Sequence, residues 1–177
     1  MLYVVTALKS EAQAFVDKYK LSKTKCDDFT LFTAQNIKVI ISGIGINNAK
    51  SATNTLIKHF KPESRDIFVN IGICGASKEH KIGELIPIGS IIYRDREHIF
   101  NKNIFISITC KDTEVYEDKY NIVDMESFGF YEATKEIKNR YIYKVVSDHF
   151  EPETVTKEKT KRLIFNVLQE VMQKVKV

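Results

Sequence analysis

Cysteine is scarce in this chain of 177 residues, with three residues at Cys26, Cys74 and Cys110. An odd number at wide spacing gives neither a disulfide framework nor a CxxC metal knuckle. The four histidines form no HxxxH pair and no His/Cys cluster, so no metal is expected. No apolar run approaches the roughly 20 residues needed to span a bilayer. Met1 leads directly into Leu2-Tyr3-Val4-Val5, without the basic region and small-residue cleavage site of a signal peptide, so a cytoplasmic protein is expected. Long basic runs are also missing. The 27 Lys+Arg and 23 Asp+Glu are interspersed, and a net charge of +4 spread this way argues against nucleic acid as the partner. There is no Gly-Lys-Ser/Thr of a P-loop, no Gly-x-Ser-x-Gly elbow and no third glycine after Gly43-Ile44-Gly45 to complete a dinucleotide fingerprint.

What remains is the balance of an ordinary globule, 44% hydrophobic and 28% charged. The length fits one domain over residues 1–177, with no repeat, linker or low-complexity stretch. Leu2 to Thr6 is a short β-branched run and predicts a buried strand. Ser10 to Tyr19 places Ala12, Phe15, Val16 and Tyr19 on one helical face. Phe29–Ala34 and Ile37–Ile41 flank Gln35-Asn36 as a hairpin. A second helix is predicted over Asn47–Phe60, with Asn47 as N-cap and Pro62 beyond its end. Strands are predicted at Ile67–Ile71, within Leu85–Tyr93, at Ile104–Ile108 and at Tyr141–Val146. Helices are predicted over Asp124–Ile137 and Thr156–Val175, the last with Leu163, Val167, Val171 and Val175 on one face. This alternation predicts an α/β fold: a single domain with a central mixed β-sheet flanked by helices.

Four of the seven glycines follow two of these strands: Gly43 and Gly45, then Gly72 and Gly75. Glycine there permits positive φ and close approach of a ligand beyond the strand ends, although tight turns have the same requirement. Three carboxylates stand at comparable places. Asp148 follows Val145-Val146-Ser147, where partial desolvation suits a general acid and Ser147 and His149 are near enough to hydrogen-bond it. Glu126 opens the helix after Asp124-Met125, and Glu11 opens the first helix. Each also has a plainer reading, as a turn cap for Asp148 and as a helix-dipole complement for Glu11 and Glu126.

Taken in order, Ala7-Leu8-Lys9-Ser10-Glu11, Ser42-Gly43-Ile44-Gly45-Ile46-Asn47-Asn48-Ala49, Val69-Asn70-Ile71-Gly72-Ile73-Cys74-Gly75-Ala76, Asp124-Met125-Glu126 and Val146-Ser147-Asp148-His149 are more specific than any one alone. Together they resemble the purine nucleoside phosphorylase and methylthioadenosine/S-adenosylhomocysteine nucleosidase superfamily over essentially the whole chain. The resemblance implies cleavage of an N-glycosidic bond in a purine nucleoside, without a cofactor, by a homodimer or larger homo-oligomer. It implies that Asp148 protonates the leaving purine at N7 as the ribose becomes an oxocarbenium ion. Ser147 would orient Asp148, Glu126 would bind the ribose hydroxyls, and Met125 would pack on the sugar face. Asp124, Gly72 and Ile73 belong to the same motifs and are candidate substrate contacts. Glu11 matches the glutamate that activates water in the nucleosidases.

Hydrolysis and phosphorolysis differ in the nucleophile. Phosphate needs a positive cradle, usually arginine. The phosphorylases that this chain resembles place an arginine where it has Asn70, which favours hydrolysis. A phosphate site would have to be built from Arg94, Arg96 or Lys111. Ile73 replaces a usual serine, and the stretch between Ala76 and Asp124 is shorter than usual, leaving Thr109, Cys110 and Lys111 as candidate base-edge residues. A relative that binds nucleosides without cleaving them is a third reading.

Overall fold

β-branched and aromatic residues fill the strands that lie at the centre of the fold. The structure is a computed structural model and describes residues 1–175. In chain order the elements are β1 (Leu2–Thr6), α1 (Lys9–Tyr19), β2 (Ser22–Cys26), β3 (Phe29–Ala34), β4 (Ile37–Ile41), α2 (Ile46–Phe60), β5 (Ile67–Ala76), β6 (Leu85–Pro87), β7 (Ser90–Tyr93), β8 (Arg96–Ile99), β9 (Ser107–Cys110), β10 (Ile122–Asp124), α3 (Ser127–Ala133), β11 (Asn139–Asp148) and α4 (Lys157–Lys174). One mixed sheet runs β2-β3-β4-β1-β5-β10-β9-β7-β8, with β11 on the other side of β5 and β6 beside β11. The helices pack as two pairs, α1 with α4 and α2 with α3. Each pair covers one of two apolar clusters, the first built on Phe15, Val39, Ile71 and Leu168, the second on Leu56, Phe68, Ile108 and Phe130. The α/β class with a central mixed sheet is therefore as the sequence predicts.

β5 organises the site. It pairs in parallel with β1 only through Asn70, and β10 pairs with it antiparallel only at Gly75 and Ala76. On that side of β5, residues 71–74 lie between the end of one partner and the start of the next. On the opposite side, β11 pairs in register from Ile67 to Cys74 and then shifts by one residue, so that Asp148 lies opposite Gly75. A strand with such a gap leaves backbone donors free for side chains, and local shifts of register re-aim side chains.

Several boundaries differ from the sequence expectations. β5 continues through Gly72 and Gly75, which are in the strand and not beyond it, because β11 keeps pairing with it. α2 starts at Ile46 with Gly45 as N-cap, so Asn47 lies inside the helix. Asp124 ends a strand, and α3 covers only Ser127–Ala133. β2, β8 and β10 were not predicted. The two longer ones are polar sheet edges without an apolar alternation, and β10 has three residues.

Candidate active site

A cavity of about 260 Å³ opens where β5 changes partners. Glu11, Ile73, Met125, Glu126, Ser147 and Asp148 all border it. Side chains as far apart in sequence as Glu11 and Asp148 thus share one space.

Glu11 is fixed by backbone donors. Its Oε2 accepts hydrogen bonds from the N–H groups of Ala7 (2.9 Å) and Leu8 (2.8 Å), which satisfies the N-terminus of α1. Its Oε1 accepts from the N–H of Ile73 at 2.9 Å, in the gap of β5. Glu11 thus caps α1 with one oxygen and holds the gap of β5 with the other. Burial raises its pKa above the ordinary carboxylate value, against the opposing effects of these N–H groups and of Lys144. Gly72 does not border the cavity. It lies behind Glu11, where an added Cβ would come within 2.9 Å of Oε1, closer than a side-chain carbon tolerates.

Glu126 is the N-cap of α3, and its Oε1 accepts from the N–H of Gly45 at 2.9 Å. The N-terminus of α2, with Gly45 at φ 106°, is thus bound to a side chain of the protein itself. Burial pushes the Glu126 carboxyl up to about 7; Lys144 opposes this and Asp124 adds to it. Asp124 also borders the cavity, but its oxygens are engaged by the N–H of Ser127 (2.9 Å), the Ser127 hydroxyl (2.6 Å) and Lys144. Its geometry is that of a residue that holds Glu126 and Lys144 in place, where the sequence suggested a substrate contact.

Asp148, 7% exposed, ends β11. Ser147 Oγ lies 2.6 Å from its Oδ2 and 3.1 Å from the Cys74 carbonyl oxygen, so the single hydroxyl proton has two acceptors. Oδ1 accepts from the N–H of Glu151 at 3.0 Å, which makes Asp148 a turn cap as well. His149, expected beside it, instead has Nδ1 2.9 Å from the Ala76 carbonyl oxygen.

The buried cation beside the site is not among the residues that the sequence singles out. Lys144, within β11, has no exposed surface, and its Nζ is 2.7 Å from Asp124 Oδ2. The contact is short but poorly aligned as a hydrogen bond, so charge holds the pair more than direction does. The carboxylates around it raise the Lys144 pKa against the effect of burial, so the residue carries its charge. A lysine inside the run Tyr141-Ile142-Tyr143-Lys144-Val145-Val146 was the available signal, because buried lysine is rare without a partner.

The remaining candidates lie elsewhere. Asn70 is buried, with Nδ2 donating to the Val5 carbonyl at 3.1 Å. Arg94 pairs with Asp112 at 4.0 Å on the surface, Arg96 is on the exposed edge strand β8, and Lys111 lies over the Tyr120 ring. None of the three borders the cavity, and neither do Thr109 and Cys110. The shortened stretch instead contributes Thr113, Glu114 and Val115 to the wall.

The raised Glu126 carboxyl makes a prediction for the unliganded protein. Between the ordinary value of 4.5 and about 7, the folded state keeps a proton that the unfolded chain has released. The folded state binds more protons there, so stability falls as pH rises through this window. Glu126→Gln is expected to flatten the decline without abolishing it, since Glu11 contributes in the same direction. Urea unfolding at pH 5, 6 and 7 measures the two slopes; parallel curves would show that Glu126 ionises normally.

No protein-family model matches the chain, and no curated protein matches it. Solved structures match it in fold. The 5′-methylthioadenosine/S-adenosylhomocysteine nucleosidase of Helicobacter pylori, solved with butyl-thio-DADMe-Immucillin-A, superposes with a TM-score of 0.81 at 13% identity, over 99% of this chain and 97% of that one. The futalosine hydrolase of Helicobacter pylori gives a TM-score of 0.80 at 14% identity, over 98% and 97%. The 5′-methylthioadenosine nucleosidase of Arabidopsis thaliana gives 0.76 at 20% identity, over 98% and 93%. The chain therefore has the fold of these nucleosidases along its length. At these identities the likeness is one of fold, and function rests on the cavity.

Proposed function

We propose that this protein is a nucleoside N-glycosyl hydrolase that cleaves an adenosine-type nucleoside, modified at its 5′ position, to free base and sugar. The observation that carries this reading is the grouping of Glu11, Glu126 and Asp148 around one cavity with no lysine or arginine on its wall among the described residues. Names of solved structures with the same fold, two nucleosidases and a hydrolase, point the same way.

In this reading the base lies against Gly75 and Val123, with Asp148 at N7. Protonation there stabilises the departing purine as the glycosidic bond lengthens. Glu126 takes the ribose hydroxyls, and Met125 packs on the sugar. The growing positive charge of the oxocarbenium ion develops among buried carboxylates, which stabilise it more strongly than they would in water. Glu11, raised by burial, accepts a proton from the attacking water. Leu8 and Ile44 supply apolar surface on the wall, suited to an uncharged 5′ substituent.

Water is favoured over phosphate on charge. Lys144, the cation whose charge acts on Glu11 and Glu126, is buried and committed to Asp124. A phosphate dianion would enter a space walled by carboxylates and would lose its hydration without a counter-charge. The expected result is cleavage in phosphate-free buffer with free sugar as product, unchanged by millimolar phosphate. The check is chromatography of base and sugar products from a panel of purine nucleosides. Strict phosphate dependence with accumulation of sugar 1-phosphate would establish a phosphorylase. Absence of cleavage in both buffers would leave a binding protein.

A further inference from the structure

The wall of the cavity carries no aromatic ring among the described residues. A base held there is clamped by Cys74, Gly75, Val123, Pro152 and Val155, surfaces that grip a flat ring without distinguishing its edges. Discrimination must come from polar groups. Glu11, Glu126 and Asp148 are assigned above to water, ribose and N7. The six-membered ring of a purine, with its exocyclic group, points away from the sugar. Asp124 and Ser147, also on the wall, are engaged by Ser127 and Lys144 and by Asp148 and the Cys74 carbonyl, so the hydrogen-bonding side chains left to meet it are Thr113 and Glu114 of the loop after β9.

Glu114 is suited to one role. Its Oε2 accepts a hydrogen bond from the Tyr116 hydroxyl at 2.9 Å. Oε1 has no hydrogen-bond partner, and no cation pairs with the carboxylate among the described residues. Tyr116 thus fixes one oxygen and leaves the other available. An ionised carboxylate only accepts hydrogen bonds, so it rewards an N–H donor and repels a carbonyl oxygen.

Resting on the nucleosidase reading, we propose that Glu114 is a specificity-determining residue, accepting a hydrogen bond from the exocyclic amine of an aminopurine base. A base with hydrogen at the same position offers Glu114 nothing, and a 6-oxo group places oxygen against it.

The test compares free adenine with free purine, which lacks the amine, by calorimetry on the wild-type chain and on Glu114→Ala and Glu114→Gln. Cleavage of adenosine and purine riboside is measured in parallel. Wild type is expected to bind adenine more tightly than purine. In Glu114→Ala the ratio of the two affinities should fall about five- to tenfold, as for one charge-assisted hydrogen bond at a partly solvated rim. Glu114→Gln keeps an acceptor oxygen and should restore part of the ratio. An unchanged ratio in Glu114→Ala, or no binding of adenine to wild type, would overturn the assignment. A ratio that depends on Glu114 without cleavage of either riboside would uphold it and overturn the hydrolase. Cleavage with a ratio indifferent to Glu114 would do the reverse.

Discussion

Asp148→Asn is expected to lower the rate of glycosidic cleavage by about 10²–10⁴-fold, the range contributed by a positioned general acid. Asparagine has nearly the shape of aspartate but no acidic proton to give. Its oxygen can still accept from the Glu151 N–H, and its amide can still meet the Ser147 hydroxyl, so both contacts that fix the end of β11 have a substitute. The melting temperature should therefore stay close to wild type while turnover collapses. The measurement pairs thermal unfolding with release of free base over several enzyme concentrations. A folded variant with full turnover would remove Asp148 from the chemistry and leave it as the cap of the turn it also forms.

The parts legible in the sequence were those where one physical signal dominated. β1 and β4 are short β-branched runs inside the sheet, β3 pairs with β4 as the expected hairpin, and α4 has its apolar residues at helical spacing. The site carboxylates could be picked out because each stands at an element boundary inside one of the ordered motifs; the boundary alone also suits a cap, and Glu11 and Asp148 do cap there. Their convergence could not be read, because it depends on β5 losing β1 at Asn70 before gaining β10 at Gly75. That gap is a property of pairing, with no local mark beyond Gly72 and Gly75. The wall formed by Thr113–Val115 was missed for a related reason. The sequence pointed to Thr109–Lys111 at a strand end, but β9 holds Cys110 buried in the sheet and the loop beyond it reaches the cavity. Lys144 was overlooked because a run rich in β-branched and aromatic residues reads as a strand whichever way one member is charged.

That lysine supports the second large effect. Lys144→Met is expected to destabilise the fold by about 3–5 kcal/mol at pH 8, the cost of leaving a buried charge without its partner. Against a total stability of about 5–15 kcal/mol, such a loss brings the protein near unfolding. Asp124 would lose its cation and keep only the Ser127 and Glu126 donors. Glu11 and Glu126 would lose the charge that lowers both of their pKa values, so each would move further upward. This fixes the sign of the pH dependence. At pH 5 the Glu126 carboxyl, pushed up to about 7, carries its proton and needs no counter-charge, so the deficit of the variant should be smaller there than at pH 8. Adding Asp124→Asn removes one orphaned charge and should return part of the lost stability, a coupling read from the double-mutant cycle. Urea unfolding of the four proteins at both pH values makes the test. A deficit below about 1 kcal/mol at pH 8, within the range of an exposed ion pair, would mean that the pair contributes little. A deficit independent of pH would mean that Lys144 acts through packing. The predicted pattern ties the charge balance of the site to the stability of β11, the strand that also carries Asp148.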